Sequence, residues 1–98
     1  MASSDPLLQP YQLKHLTLRN RIMSTAHEPA YSEDGLPTDR YRLYHVEKAK
    51  GGIALTMTAG SAIVSPDSPP AFGNLHAYRD EIVPHLKRLA EECQGHGT

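Results

Sequence analysis

His27 and Glu28 stand side by side in the stretch RNRIMSTAHEPAYSEDG, Arg19 to Gly35, immediately before Pro29. Two titratable groups are thus placed where an apolar run, Ile22 and Met23, has passed through the small residues Ser24, Thr25 and Ala26. Small residues let a flat ligand approach the backbone closely, and glycine does so best. A second apolar run, Ile53 to Thr58, ends in Ala59 and Gly60. The same small residues would also serve to pack a barrel layer, and periodicity alone leaves both readings open. Other chemistries are excluded more firmly. HEPAY lacks the second histidine of a helical zinc-protease site, and no glycine-rich phosphate loop of P-loop or dinucleotide-binding type occurs. His15, His45, His85 and His96 read as surface or half-buried side chains, while His76, after a Pro- and Ser-rich loop, is ambiguous. Cys93 is the only cysteine, so no intrachain disulfide can form. Its neighbours Glu91 and Glu92 oppose a reactive thiolate, and it reads as a small packed residue.

The elements that must position these residues follow from patterning. Leu13–Lys14–His15–Leu16–Thr17–Leu18 alternates with period two and predicts a short hairpin, although Lys-His is a poor turn pair. RIMSTA follows as a strand, and HEPAYSEDGLP as a loop punctuated by Pro29, Gly35 and Pro37. Thr38 is a good N-cap with Asp39 behind it, and the helix it opens carries Lys48 and Lys50 at its end before Gly51 or Gly52 stops it. Tyr41, Tyr44 and Lys48 fall along one side, with Leu43, Val46 and Ala49 or Lys50 along the adjacent one. Ile53 to Thr58 lacks charge and predicts a strand buried on both faces, as in a parallel sheet. A last helix runs from about Asp80 to Gln94 with Ile82, Leu86, Leu89 and Cys93 as its stripe, and Pro84 confined to its first turn. The order hairpin, β, α, β, α implies a parallel sheet with right-handed crossovers.

Length and charge bound the rest. Ninety-eight residues allow one small domain, here residues 1–98 as a single piece with no internal linker. A net charge of −1 with scattered Lys and Arg argues against nucleic-acid binding and against a polybasic membrane footprint. No run approaches the roughly 18 apolar residues of a membrane helix. The start of the chain has no long apolar segment, so no secretory leader is expected, and a cytoplasmic location is. Two βα units cannot cover both faces of two parallel strands, and a complete (β/α)8 barrel takes about 250 residues. The isolated chain is therefore expected to be molten, aggregated or self-associated, with unpaired strand edges beside apolar side chains.

LLQPYQLKHLTLRNRIMSTAH, followed after a helix by GGIALTMTAGSAIVSP, resembles the N-terminus of the old yellow enzyme, or NADH:flavin oxidoreductase, family. The likeness runs from about Leu7 to Thr98, and TAH with the Gly51–Gly52 pair is most similar to the branch of 2,4-dienoyl-CoA reductase, trimethylamine dehydrogenase and related N-demethylases. The resemblance implies the first portion, hairpin plus two βα units, of an incomplete FMN-binding (β/α)8 TIM barrel of the α/β class. It also implies that Thr25, Ala26 and His27 lie against the flavin ring with their backbone amides, that Glu28 sits near its C4 carbonyl, and that Ala59 and Gly60 form a second contact. Where trimethylamine dehydrogenase tethers its flavin through cysteine, this chain has Glu28. An ionised carboxylate there would oppose reduction by Coulomb repulsion, so Glu28 turns away, is protonated or lowers the potential.

In the complete enzyme the resemblance implies hydride transfer from NAD(P)H through FMN to an activated alkene, or from an N-methyl amine to FMN. A 4Fe–4S cluster and FAD belong to regions beyond this chain. No catalytic residue is expected within it, so alone it should be inactive. The rival reading is a small binding or assembly module that covers its open sheet edge by docking on another chain or by dimerising.

Overall fold

The computed structural model describes residues 4–27, 29–58, 62–69 and 73–98. After a 3-10 turn at Pro6–Leu8, capped by the Asp5 side chain on the Leu7 amide, β1 (Tyr11–Leu13) and β2 (Leu16–Leu18) form the expected antiparallel hairpin with Gln12 opposite Thr17. Its Lys-His turn exists because Lys14 accepts a φ of 52° while the Gln12 side-chain amide donates to the Lys14 carbonyl at 2.6 Å. β3 (Met23–Ser24) then runs parallel to β6 (Leu55–Thr56), with Met23 paired to Leu55 and Ser24 to Thr56. Between them comes α1 (Asp39–Lys50), capped as read by the Thr38 hydroxyl on the Tyr41 amide. Gly52, at φ +106°, supplies the left-handed residue that turns the chain back toward β6, whereas Gly51 stays helical.

Two short pairs lie where the sequence predicts no strand, the first of them in what it reads as loop. β4 (Ser32–Glu33) and β5 (Leu36–Pro37) close a tight hairpin over Asp34 and Gly35, at φ 51° and 74°. β7 (Ala62–Ile63) pairs in parallel with β8 (Leu75–His76). α2 (Ile82–Gly95) follows, with Pro84 in its first turn, where no intrahelical N–H is missed. No described helix is long and apolar enough to cross a membrane.

The core lies between the two helices and the short strands β5 and β8, not around the β3–β6 pair. Tyr41, Val46, Ala49, Leu75, Ile82, Leu89 and Cys93 are buried together, with Tyr31, Leu36 and Leu86 against them. The α2 stripe is as read, and burial followed by the Glu92 charge pushes the Cys93 thiol up, which leaves it an inert packed group.

Two expectations are corrected. α1 buries Tyr41, His45, Val46 and Ala49, while Leu43 is exposed, because the side turned to the core carries a histidine in its middle. Ile53 to Thr58 is not buried on both faces: only Ala54 is, and Met57 is exposed. α1 packs on β6, and among the described residues this sheet has two strands, far fewer than a closed barrel interior needs.

Candidate functional site

β3 and β6 finish level with each other. The amide of Ala54 donates to the Ile22 carbonyl at 3.0 Å, and the ladder closes with the Met57 amide on the Ser24 carbonyl at 3.2 Å. Thr25 and Met57 therefore leave the sheet at the same mouth, the end where (β/α)8 barrels carry their function. Thr25, Ala26 and His27 are all exposed. Among the described residues nothing accepts a hydrogen bond from their amides. Small side chains and unused N–H groups at a strand end fit the edge of a flat heteroaromatic ring that presents carbonyl and ring-nitrogen acceptors. Glu28, Ala59 and Gly60 lie outside the described residues. Met57 and Thr58, also exposed at this mouth, were not singled out by the sequence.

The side chains behind the mouth bind helix to strands. Ser24 and Thr56 are register partners, and each receives one side chain from α1. Lys48 Nζ donates to Ser24 Oγ at 2.6 Å, and His45 Nδ1 lies 2.9 Å from Thr56 Oγ1. His45 is only 1% exposed, contrary to its reading as a surface or half-buried group, and its Nε2 has no hydrogen-bond partner among the described residues. A buried orphan N–H costs more than a buried orphan lone pair, so we assign the proton to Nδ1, donating to Thr56. Burial, then the Lys48 charge, holds the His45 imidazole below its ordinary pKa, so it stays neutral near pH 7. The His27 ring lies against Tyr44 at 6.5 Å between centroids with the planes 21° apart, and Lys48 Nζ sits 4.3 Å from the centre of that same tyrosine. His27 thus rests its side chain on the helix.

The loops that follow β3 and β6 are pinned to one another. The His76 amide donates to the Gly35 carbonyl at 2.8 Å, Arg79 Nη1 donates to the Asp34 carbonyl at 2.5 Å, and Ser32 Oγ donates to the Gly73 carbonyl at 2.5 Å. The His76 ring covers Gly35 so closely that a Cβ there would fall 2.1 Å from it. The ambiguous His76 is thereby a structural cover, and Gly35 is required both for its positive φ and for that contact.

At the opposite end, Arg19 Nη2 donates to the carbonyls of Ala49 (3.1 Å) and Ile53 (2.9 Å), and Nη1 to that of His96 (2.5 Å). Asn20, 8% exposed, donates to the Gly52 carbonyl at 2.7 Å and accepts from the Ile22 amide at 3.0 Å. The Arg-Asn pair of the LTLRNRI segment is thus a latch that ties both helix C-termini to the start of the strands. Two apolar hollows flank the strands away from the mouth. One, of about 460 Å³, runs beside Leu18, Ala54, Leu55, Leu89 and Cys93, and the other, of about 330 Å³, beside Tyr11, Leu13, Ile22, Met23 and Leu55.

Residues 6–98 match the NADH:flavin oxidoreductase / NADH oxidase family model. A probable N-methylproline demethylase of Rhizobium meliloti (strain 1021) is 68% identical over 95 residues, covering 97% of this chain and 14% of that protein. A multifunctional alkene reductase/demethylase of Caballeronia cordobensis is 53% identical over 97 residues, covering 99% and 14%. An N,N-dimethylglycine/sarcosine dehydrogenase of Chromohalobacter salexigens is 43% identical over 95 residues, again across 14% of its length. Among solved structures, a 2-naphthoyl-CoA reductase complex superposes with a TM-score of 0.87 at 23% identity, over 95% of this chain and 14% of that one. The old yellow enzyme from Trypanosoma cruzi does so at 0.79 and 20% identity, over 94% and 24%. The fold is therefore part of a (β/α)8 barrel, and the chain spans about a seventh of the length of these three relatives. With the match covering nearly every residue, this chain belongs to the NADH:flavin oxidoreductase / NADH oxidase family.

Proposed function

We propose that this chain supplies the opening βα units of the FMN site in a longer oxidoreductase, and that the whole enzyme oxidises the N-methyl group of a small amine such as an N-methyl amino acid. The observation that carries the reading is the tip of β3: small exposed residues with unused amides, level with the end of β6, in a chain of this family. Bound FMN would supply a two-electron acceptor for hydride, taken from the N-methyl carbon or from NAD(P)H. The chain's own part is orientation. Thr25, Ala26 and His27 offer N–H groups to the polar edge of the ring, and the absence of bulk at Ala26 lets the ring lie close. The family resemblance implies flavin contacts at Glu28, Ala59 and Gly60 as well, which lie outside the described residues. Holding the flavin in one place is a proximity effect of the kind that counts in hydride transfer.

The names of the three relatives support the substrate class, since each includes demethylation or the oxidation of an N-methylated amino acid. The Caballeronia relative is also named as an alkene reductase, which favours NAD(P)H-dependent reduction of an activated alkene as a second activity of the same centre. By the family resemblance, a 4Fe–4S cluster and FAD would belong to parts of the longer polypeptide beyond this chain.

The test is made on the longest natural polypeptide that carries this sequence. It should release formaldehyde from N-methylproline or dimethylglycine with an added electron acceptor. Turnover of activated alkenes alone would move the reading to ene reduction, and turnover of neither substrate class would refute it.

A further inference from the structure

We propose that His45 and Lys48 are positioning residues for the flavin, acting through Thr56 and Ser24; the inference rests on the FMN reading above. Four facts converge. Ser24 and Thr56 face each other on the last paired rung of β3 and β6, one residue before the chains leave for the mouth. Both hydroxyls are held from the same helix, by side chains three residues apart that lie on one side of it. His45 is buried, and Thr56 is the hydrogen-bond partner of its ring. Lys48, besides bonding Ser24, packs over Tyr44, the ring on which His27 rests.

The consequence is geometric. With one prong on each strand, a shift of α1 along its axis would break both bonds together. The register of the two tips is therefore set from behind by the helix, in addition to the backbone ladder. Simple packing does not require this arrangement. An apolar side chain at position 45 would fill the space without an orphaned ring nitrogen, and a valine at position 56 would match the volume of threonine. A buried polar pair kept at a cost specifies position.

The test uses the longest natural polypeptide, in flavin-free and FMN-loaded forms. Thr56→Val removes the acceptor while keeping the shape, Thr56→Ser restores the hydroxyl, and Leu89→Ala on α2 serves as a control for general loss of stability. In the flavin-free form, exchange of the Met57 amide, which closes the ladder, should quicken about tenfold in Thr56→Val, a shift of about 1.4 kcal/mol, and return in Thr56→Ser. FMN affinity should weaken by about the same factor, the flavin potential should move, and Lys48→Met should show a similar pattern. Leu89→Ala should change neither the affinity of the folded protein nor its potential. Unchanged exchange at Met57 in Thr56→Val would overturn the clamp. So would quickened exchange with an unaltered FMN affinity and potential. A wild-type polypeptide that binds no FMN would instead refute the functional reading, and this inference with it.

Discussion

The two ends of the β3–β6 pair are built on opposite plans. At the Arg19–Asn20 end, charged and amide side chains satisfy backbone carbonyls at both helix C-termini, those of Ala49, Gly52 and His96. At the Thr25–His27 end, side chains are small or laid aside, and the backbone N–H groups have no acceptor among the described residues. The difference separates what holds the fold from what the proposed flavin site would use. Losses at the first end should appear in stability, and losses at the second in binding.

The largest expected effect follows from Asn20→Ala in the full polypeptide. The substitution strands the Gly52 carbonyl and the Ile22 amide at a site only 8% exposed. Denaturant unfolding should show a loss of about 2–3 kcal/mol, with FMN affinity of the folded protein unchanged. A comparable fall in affinity without loss of stability would erase the contrast between the ends. Gly35→Ala comes next, since it demands both a left-handed alanine and displacement of the His76 ring. A stability loss of about 2 kcal/mol is expected, partly regained in Gly35→Ala/His76→Ala. At the mouth, Ala26→Val should leave stability within about 0.5 kcal/mol but weaken FMN about tenfold, because the added methyl groups hold the ring off the strand tip.

The smallest effect is a pH dependence. His45 has a lowered pKa in the folded chain, so the unfolded chain binds more protons below its ordinary value of 6.5. The His45 contribution to stability is complete above that value and declines as pH falls toward the folded pKa, by at most about 1.4 kcal/mol per pH unit. His45→Gln should flatten that part of the stability profile, and an identical profile in the variant would show that the titration lies elsewhere.

Local signals in the sequence were legible where their physics is local. Thr38 caps a helix, Gly52 turns out of it, and Pro84 sits in a first turn, each for reasons contained within a few residues. The Asp34–Gly35 hairpin also carries a local signature, a dipeptide that tolerates two positive φ angles, yet it was read only as loop. Burial of His45 was illegible, because helical spacing shows which residues share a face and not which face meets the core. The β7–β8 pairing joins segments whose contact depends on how the intervening loop folds back, so no spacing announces it. The run Ile53 to Thr58 holds a strand only at Leu55–Thr56 and is less buried than its composition suggests, since an apolar run reports the surroundings of a closed barrel while this chain carries only part of one. Leu13, Leu16, Ile22 and Met23 are exposed for the same reason. The isolated chain should accordingly elute from size exclusion as self-associated species and show no turnover, and a sharp monomer peak would contradict that expectation.

The most direct test of the central claim is FMN titration of the full natural polypeptide beside its Ala26→Val variant, followed by quenching of flavin fluorescence. The account predicts stoichiometric binding to the wild type and about tenfold weaker binding to the variant at equal stability. Equal affinity in the two proteins would show that the β3 tip does not touch the flavin, and would contradict the account.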